Sequence, residues 1–177
     1  MTSAPPPGLE LRDRRESDLP ALEAVLAGQQ PTSRYPFRWP LPFPAREFIV
    51  RDGELASRVA VVDGQVVGHV SVTSVQHDAL GVLWMQETSQ PPQNLACLSV
   101  LFVDPSVRGL GVGGALMDAA EDWIFIRGRT AVLDVVQKHS AALTVYRRRG
   151  WREIGMARPE WLPDDEPPVI LMAKDPV

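Results

Sequence analysis

A run of glycines between an apolar stretch and a helical pattern is the feature of this sequence best suited to bind an anion. The apolar stretch, Ala96 to Val103, is typical of a strand covered on both faces, and Asp104 follows it. The glycines lie within Arg108 to Gly114, and apolar residues at helical spacing come next. N–H groups at a helix N-terminus have no intrahelical partner, and glycine lets a phosphate approach them. The turn therefore predicts a phosphate-binding site.

Two nucleotide-binding signatures can be compared with this turn. A Walker A loop requires Gly-Lys-Ser/Thr, and the turn contains no lysine, so that site is excluded. The dinucleotide fingerprint of NAD-binding oxidoreductases does match, at Gly109, Gly111 and Gly114, with Asp134 about twenty residues further on. However, the fingerprint strand normally runs directly into its first glycine, and here several residues intervene. An NAD site therefore stays an alternative, although the residues before the first glycine do not fit the usual strand-to-glycine connection of that fingerprint.

The segment Val100 to Leu116 resembles the acetyl-CoA-binding motif of the GNAT N-acetyltransferases. In that motif a strand ends in a Val-Asp-Pro-like turn, and Gln/Arg-x-x-Gly-x-Gly/Ala follows; Arg108, Gly111 and Gly113 stand at those positions. The two glycine patterns thus overlap but imply different ligands. The GNAT motif accounts for the residues between strand and glycines, which the dinucleotide fingerprint does not.

A second GNAT motif supports the resemblance, which extends over roughly Leu9 to Leu171. The family usually shows Asn-x-x-Ala-x-x-x-Tyr-x-x-x-Gly-Phe, and Ala142, Tyr146 and Gly150 match it. The resemblance implies an α/β (mixed α+β) fold: a single domain with a central mixed, mostly antiparallel sheet of six to seven strands. In the family this sheet splays between its fourth and fifth strands, and helices cover both faces.

The resemblance also implies an activity, transfer of an acetyl group from acetyl-CoA to a primary amine by direct nucleophilic attack, with no metal. Backbone groups of the strand before the turn would pair with the pantetheine arm, and an amide there could face the oxyanion. The turn amides would cradle the phosphates, and the second motif would contact the arm. The predicted cofactor-binding residues are Leu101, Phe102, Val103, Arg108, Gly109, Leu110, Gly111, Val112, Gly113, Gly114, His139, Ala142 and Tyr146.

Tyr146 is the main candidate for catalysis. Its position matches the tyrosine that in the family lies near the thioester sulfur and serves as general acid. A phenol with a pKa of about 10 can protonate a thiolate leaving group. The alternative is an aromatic side chain that packs in the core beside Ala142, since residues four apart share a helix face.

Asp134 is the candidate for accepting the amine proton. It interrupts the apolar strand Thr130 to Val136, where a carboxylate is costly unless it is paired or solvated. The alternative is a structural role at a strand end, as an acceptor or salt-bridge partner. Many family members carry Glu early in the fourth strand, whereas here Cys97 occupies that place, and His139 replaces the usual Asn. These departures keep a second function open, a CoA-binding regulatory module without catalysis.

The remaining pattern supplies the elements that must position these residues. Ser17 or Asp18 can cap a first helix, and Gly28 is placed to end it. Asp63-Gly64 predicts a two-residue hairpin turn with positive φ angles. Further strands and one further helix are predicted at Leu9–Arg12, Val59–Val62, Val66–Val72, Thr130–Val136, Ser140–Arg149 (the helix) and Val169–Met172.

A proline-rich segment with four aromatic residues follows the first helix pattern, over Pro31 to Pro44. Alternating prolines exclude regular structure there. The segment lies where acceptor specificity varies in the family, and a wall of aromatic side chains would suit an apolar or aromatic amine or a peptide end. The alternative is that these side chains only cover the sheet edge. They are Tyr35, Phe37, Trp39 and Phe43.

Composition narrows the class of protein. With 177 residues, 45% hydrophobic and 23% charged, the chain has the size and composition of one globular domain. We expect a disordered tail over residues 1–8 and a single domain over 9–177. The net charge of -4 argues against nucleic acid, and no apolar run is long enough to predict a membrane span. One cysteine excludes an internal disulfide, and we see no secretory signal, so a cytoplasmic location is expected. The expected partners are acetyl-CoA or CoA and a small-molecule or peptide amine; homodimers are common in the family.

Overall fold

The computed structural model describes residues 4–177 and contains a seven-stranded sheet with the strand order β1-β2-β3-β4-β5-β7-β6. The strands β4 and β5 are parallel, whereas β1 and β2, β2 and β3, β5 and β7, and β6 and β7 pair antiparallel. The predicted mixed, mostly antiparallel sheet is therefore confirmed. The strands are β1 (Leu9–Arg12), β2 (Glu54–Val62), β3 (Gln65–Thr73), β4 (Leu95–Val103), β5 (Thr130–Val135), β6 (Arg152–Ala157) and β7 (Val169–Lys174).

Five α-helices accompany the sheet, and none of those in residues 4–177 is long and apolar enough to cross a membrane. Of the predicted disordered tail, residues 1–3 lie outside the described residues, and in the rest the carbonyl of Pro6 accepts from the N–H of Leu9 at 3.2 Å. The single domain over 9–177 stays a prediction. The helices are α1 (Leu19–Ser33), α2 (Ala45–Ile49), α3 (Ala79–Thr88), α4 (Val112–Phe125) and α5 (Ser140–Arg148).

The chain divides into two compact units, of which the first comprises the residues up to Thr73 together with Leu98–Trp123. Its core joins one face of α1 and α2 to the strands of this unit. Burial of this apolar surface stabilises the unit by about 25 cal/mol per Å². The cluster consists of Leu19, Leu22, Val25, Leu26, Phe48, Ile49, Val59, Val61, Val100 and Phe102.

The helix α1 does not end at Gly28, so that prediction is wrong. It continues to Ser33 with Pro31 inside it, and Arg34 then adopts the left-handed conformation with φ 59°. A glycine inside a helix costs only about 1 kcal/mol relative to alanine, and packing of the helix face outweighs this. The predicted cap Asp18 does precede the helix, but its carboxylate accepts from the side chain of Arg12 at 2.8 Å and from the N–H of Arg15 at 2.7 Å.

The hairpin between β2 and β3 is confirmed. Asp63 and Gly64 have φ angles of 49° and 79°, and Val62 stands opposite Gln65 in the register. Two consecutive positive φ angles are the geometry that matches the twist of the flanking strands. The hairpin places the middle of β3, including His69, in the interior of the first unit.

The second unit comprises Ser74–Cys97 and Ile124–Val177. Its centre is β5 with β7, whose residues from Val169 to Ala173 are all buried. The parallel ladder between β4 and β5 covers only Leu95–Cys97 and Thr130–Val132. The helix α3 and the strand β6 were not among the predicted elements.

Candidate functional site

The segment from β4 to α4 forms a compact turn in the first unit. The N–H of Asp104 donates to the carbonyl of Val67 at 2.7 Å, which ties the end of β4 to the start of β3. The Asp104 carboxylate then accepts from the N–H and the hydroxyl of Ser106, at 2.8 and 2.6 Å. A 3₁₀ turn over Pro105–Val107 follows. The capped turn fixes the direction in which the chain enters the glycines.

Two glycines of the turn need their conformational freedom. Gly109 and Gly111 have φ angles of 80° and 84°, in the left-handed region that favours glycine. A side chain at either position would impose backbone strain of about 1–2 kcal/mol. The glycine spacing that suggested a phosphate site is thus also the spacing that this backbone requires.

Some backbone N–H groups of the turn already donate hydrogen bonds within the chain, whereas others have no intrahelical acceptor. The N–H groups of Arg108 and Leu110 donate to carbonyls within the turn, each at 3.2 Å. The first hydrogen bond of the α4 ladder runs from the N–H of Ala115 to the carbonyl of Gly111 at 3.0 Å. Helix amides before that bond have no intrahelical acceptor, and together with the helix dipole they favour an anion. These amides belong to Val112, Gly113 and Gly114.

A close approach between β3 and α4 positions this helix N-terminus. A Cβ atom at Gly68 would lie 3.0 Å from Cδ1 of Leu116 and 3.2 Å from both the carbonyl oxygen of Phe102 and Cγ1 of Val103. At Gly113 a Cβ would meet only Cγ1 of Val103, at the ordinary distance of 3.9 Å. Glycine at position 68 therefore sets how closely α4 packs on the strand.

The strand β4 contains a strained residue, Val100. Its φ angle is 51°, a left-handed conformation that costs a β-branched residue on the order of 1–3 kcal/mol. It comes directly before Leu101, Phe102 and Val103, the residues whose backbone groups are predicted to pair with pantetheine. Such strain persists only where surrounding contacts hold it, and it is concentrated at functional sites.

The carbonyl of Val100 lies 2.9 Å from Nδ1 of His69, and Nε2 of that ring lies 2.9 Å from the Arg14 guanidinium. Arg14 is in turn bound by both carboxylate oxygens of Glu54, at 2.7 and 2.9 Å. The His69 side chain is fully buried and stacks on Phe102 with ring centroids 5.5 Å apart. Burial, with a smaller effect from the positive charge of Arg14, lowers the pKa of His69 to about 4. The imidazole is therefore neutral at pH 7.

In the second unit, α5 carries Tyr146 one turn after Ala142, on the same helix face. The Tyr146 ring packs edge to face against the buried Trp151, with centroids 5.9 Å apart and an interplanar angle of 61°. Its carbonyl accepts from the N–H groups of Arg149 and Trp151, at 3.1 and 3.0 Å, where the helix ends. Tyr146 is half-buried, and its aromatic contact with Trp151 is made by the ring and not by the hydroxyl.

The other candidates of this unit lie on β5 and at the start of α5. Asp134 is half-buried in β5 and stands opposite Leu171 of β7. His139 is the residue before α5, where its carbonyl accepts the N–H of Leu143 at 3.1 Å. Cys97 is buried in β4 opposite Val132, as expected of a small apolar residue. Within residues 4–177 no three potential ligand residues cluster in a way that could hold a metal ion.

Residues 31–33 of the proline-rich segment form the end of α1, so the expectation that the segment has no regular structure is wrong there. The rest of the segment lies between α1 and α2 and contains the four aromatic residues. Tyr35 packs edge to face against Phe48, with centroids 5.7 Å apart, and joins the core of the first unit. Trp39 and Phe43 are 37% and 41% exposed. Phe37 is half-buried, so Trp39 and Phe43 are the exposed members of the four aromatic residues.

Sequence reasoning missed the polar residues that hold Val100. None of His69, Arg14 and Glu54 is assigned a functional role from the sequence. The three residues are separated by up to 55 positions, and nothing in their local patterns links them. The only available signal was a histidine within the apolar strand pattern of β3.

The acetyltransferase (GNAT) family model matches residues 22–151, whereas no curated protein sequence matches the chain significantly. Among solved structures, the GCN5-related N-acetyltransferase from Kribbella flavida is 23% identical, with a TM-score of 0.71 over 95% of this chain and 98% of that one. The ribosomal-protein-S18-alanine N-acetyltransferase from Escherichia coli is 20% identical, with a TM-score of 0.67 over 94% and 93%. The ribosomal-protein-alanine N-acetyltransferase from Brucella melitensis is 22% identical, with a TM-score of 0.70 over 94% and 99%.

These structures share the fold, and the family model covers most of the chain, including both the glycine turn and the helix that carries Tyr146. The two motifs from which the resemblance was drawn thus lie within the matched residues. The chain belongs to the GNAT acetyltransferase family.

Proposed function

We propose that the chain is an N-acetyltransferase that moves an acetyl group from acetyl-CoA to a primary amine. The observation that carries the proposal is the N-terminus of α4, where three amides without an intrahelical acceptor follow two glycines with positive φ. In a GNAT family member this turn is the natural place for the phosphates of CoA. The family membership supports acyl transfer as the reaction class.

The cofactor contacts are proposed residue by residue. The amides of Val112, Gly113 and Gly114 bind phosphate oxygens, and Arg108 adds a positive charge beside them. The backbone of Leu101–Val103 pairs with the pantetheine arm, as a neighbouring strand would. His139 and Ala142 contact the same arm, the former through a ring nitrogen that can donate a hydrogen bond.

The chemistry requires two proton transfers. The nitrogen of the neutral amine attacks the thioester carbonyl, and the tetrahedral oxyanion is stabilised by a backbone amide of β4. As the C–S bond breaks, the Tyr146 hydroxyl gives its proton to the CoA sulfur, and Asp134 takes the proton that the amine nitrogen loses, directly or through water. The products are the N-acetyl amine and CoA thiol, and proton exchange with water restores both side chains.

The acceptor is proposed to contact the exposed aromatic pair of the proline-rich segment. Trp39 and Phe43 offer apolar surface in a segment that otherwise has little regular structure. Aromatic surface of this kind suits an amine attached to an apolar group, or the first residues of a peptide. Two of the structurally similar enzymes are named for acetylation of a ribosomal-protein alanine, so peptides that begin with alanine belong in an acceptor screen.

Binding is tested first, by thermal unfolding with acetyl-CoA, CoA or NAD. A ligand at about 100 times its Kd adds about 2.7 kcal/mol of stability, which gives a clear rise in Tm. We expect a rise with acetyl-CoA and CoA and none with NAD. A rise with NAD alone would revive the dinucleotide fingerprint and overturn the proposal.

Turnover is tested next, by release of CoA thiol with small amines and with alanine-initiated peptides. We expect one acceptor class to stimulate release. Tight CoA binding without turnover across the screen would instead identify a CoA-binding module, the second function that the cysteine at position 97 left open.

A further inference from the structure

We infer that Glu54, Arg14 and His69 form a positioning relay that holds the strained peptide of Val100, and through it the backbone groups of β4 that receive the pantetheine arm. The inference rests on the proposed function, since it assigns a role to residues around the proposed cofactor strand. None of the three side chains is proposed to touch the substrate. They act through Val100.

The chemistry of the relay permits one arrangement of protons. A guanidinium can only donate hydrogen bonds and a carbonyl oxygen can only accept them. Nε2 of His69 must therefore accept from Arg14, and Nδ1 must carry the hydrogen that is donated to Val100. A flipped ring would place a carbon atom against each partner, so the imidazole has one orientation in which both contacts are made.

The burial of these groups shows that the relay is not a surface feature. The His69 side chain is fully buried, and the side chains of Arg14 and Glu54 are only 9% and 19% exposed. Arg14 also contacts the carbonyl of Ile49 at 3.4 Å, and Glu54 accepts from the Ser71 hydroxyl at 3.3 Å. Buried charges are tolerated when they are paired and hydrogen-bonded in this way. Apolar residues would fill the same space without holding the carbonyl.

The position of Val100 connects the relay to the cofactor. The φ angle of 51° turns its peptide relative to a regular strand, immediately before Leu101–Val103. A donor on the Val100 carbonyl fixes that turn, and the direction of the next N–H group is coupled to it through the planar peptide. Loss of the donor lets β4 relax towards a regular strand, which misdirects the groups proposed to face the pantetheine arm and the thioester.

The test separates positioning from general damage by using two ligands. Acetyl-CoA contains the pantetheine arm, whereas adenosine 3′,5′-bisphosphate carries nucleotide phosphates without it. Their Kd values are measured by titration calorimetry for the wild-type chain and for His69→Leu, His69→Asn and Arg14→Gln. His69→Asn keeps an N–H donor at the position of Nδ1, and Arg12→Gln is the control because it breaks a comparable two-contact ion pair, with Asp18 at 2.8 Å.

We expect His69→Leu and Arg14→Gln to weaken acetyl-CoA binding about tenfold, the effect of one lost neutral hydrogen bond, with adenosine bisphosphate binding unchanged. We expect His69→Asn to restore most of the acetyl-CoA affinity and Arg12→Gln to leave both affinities unchanged. Equal weakening of both ligands, or no rescue by asparagine, overturns the relay. If His69→Leu does not fold, the Kd values of Arg14→Gln and His69→Asn for the two ligands test the relay in the same way. A wild-type chain that binds no acetyl-CoA contradicts the proposed function itself, a result distinct from failure of the variants.

Discussion

The rings of Tyr146 and Trp151 meet edge to face, with centroids 5.9 Å apart, across the end of α5. This contact uses the aromatic ring of Tyr146 and not its hydroxyl, so packing and proposed proton transfer can be separated by mutation. The contact joins the tyrosine of the second motif to the aromatic residue five positions after it, just beyond the end of α5.

Tyr146→Phe is expected to lower kcat at least about 100-fold, because general acid catalysis contributes on that scale. The ring and its contact with Trp151 remain, so Tm and the Kd for acetyl-CoA are expected to stay close to the wild-type values. Tyr146→Ala should lower Tm as well, since it removes the ring. A phenylalanine variant with wild-type kcat would show that another group protonates the thiolate.

Gly111→Ala is expected to weaken acetyl-CoA binding about tenfold. A left-handed alanine costs about 1–2 kcal/mol, and about 1.4 kcal/mol corresponds to a tenfold change in Kd. The strain at φ 84° is relieved only if the turn moves, and the amides of Val112, Gly113 and Gly114 move with it. The affinity is measured by titration calorimetry.

Gly28→Ala is the matched control for this change. Gly28 lies inside α1, and a Cβ there meets no atom within 4 Å. Alanine should raise the free energy of unfolding by about 0.5–1 kcal/mol and leave the Kd unaltered. Unchanged acetyl-CoA affinity in Gly111→Ala would argue against the turn as the phosphate site.

Gly68→Ala is expected to lower the free energy of unfolding by about 1–3 kcal/mol, the range for overpacking. Its methyl group would lie 3.0 Å from Leu116 and 3.2 Å from the carbonyl oxygen of Phe102, which as a backbone atom cannot simply turn away. Denaturant unfolding measures the effect. In Gly113→Ala the new methyl group would lie at an ordinary distance, 3.9 Å, from Cγ1 of Val103, so the free energy of unfolding of this variant should not fall. Equal losses of stability in both variants would contradict the argument that β3 and α4 are closely packed at Gly68.

Much of the fold could be predicted because several elements carry local signals. The hairpin depends on Asp63-Gly64, whose tolerance of positive φ is a property of those two residues, and the glycine turn depends on the same property. The helix α3 also had a local signal that was not used: the Asp78 side chain caps it by accepting from the N–H of Gly81 at 2.8 Å.

Other features could not be predicted because they depend on contacts distant in sequence. The strand β6 is an edge strand in which only Ala157 is buried, and its sequence lacks the apolar alternation that reveals strands. The end of α1 is set by packing and by Arg34 rather than by the glycine within it. The contact between His69 and Val100 joins residues on different strands, and the strain at Val100 has no counterpart in the local sequence.

The buried imidazole of His69 also predicts how stability depends on pH. Its pKa is about 4 in the folded chain, against about 6.5 when unfolded, so between these values the unfolded chain binds more protons. The contribution of His69 to stability is therefore complete above pH 6.5 and is lost as the pH falls towards 4. Asp18 and Asp175, whose pKa values are lowered mainly by hydrogen bonds from Arg12 and Arg152, lose their stabilising effect below that window.

We expect the free energy of unfolding to fall by about 3 kcal/mol between pH 6.5 and 4 because of His69, since each pKa unit corresponds to about 1.4 kcal/mol. His69→Asn has no group that titrates there, so its stability curve should be flatter over this range. The other two histidines, His77 and His139, are present in both chains, and the difference between the two curves therefore isolates His69. Denaturant unfolding at a series of pH values measures both curves. Parallel curves would mean that the ring is protonated within the folded chain near its usual pKa, which is incompatible with a buried nitrogen that accepts from Arg14.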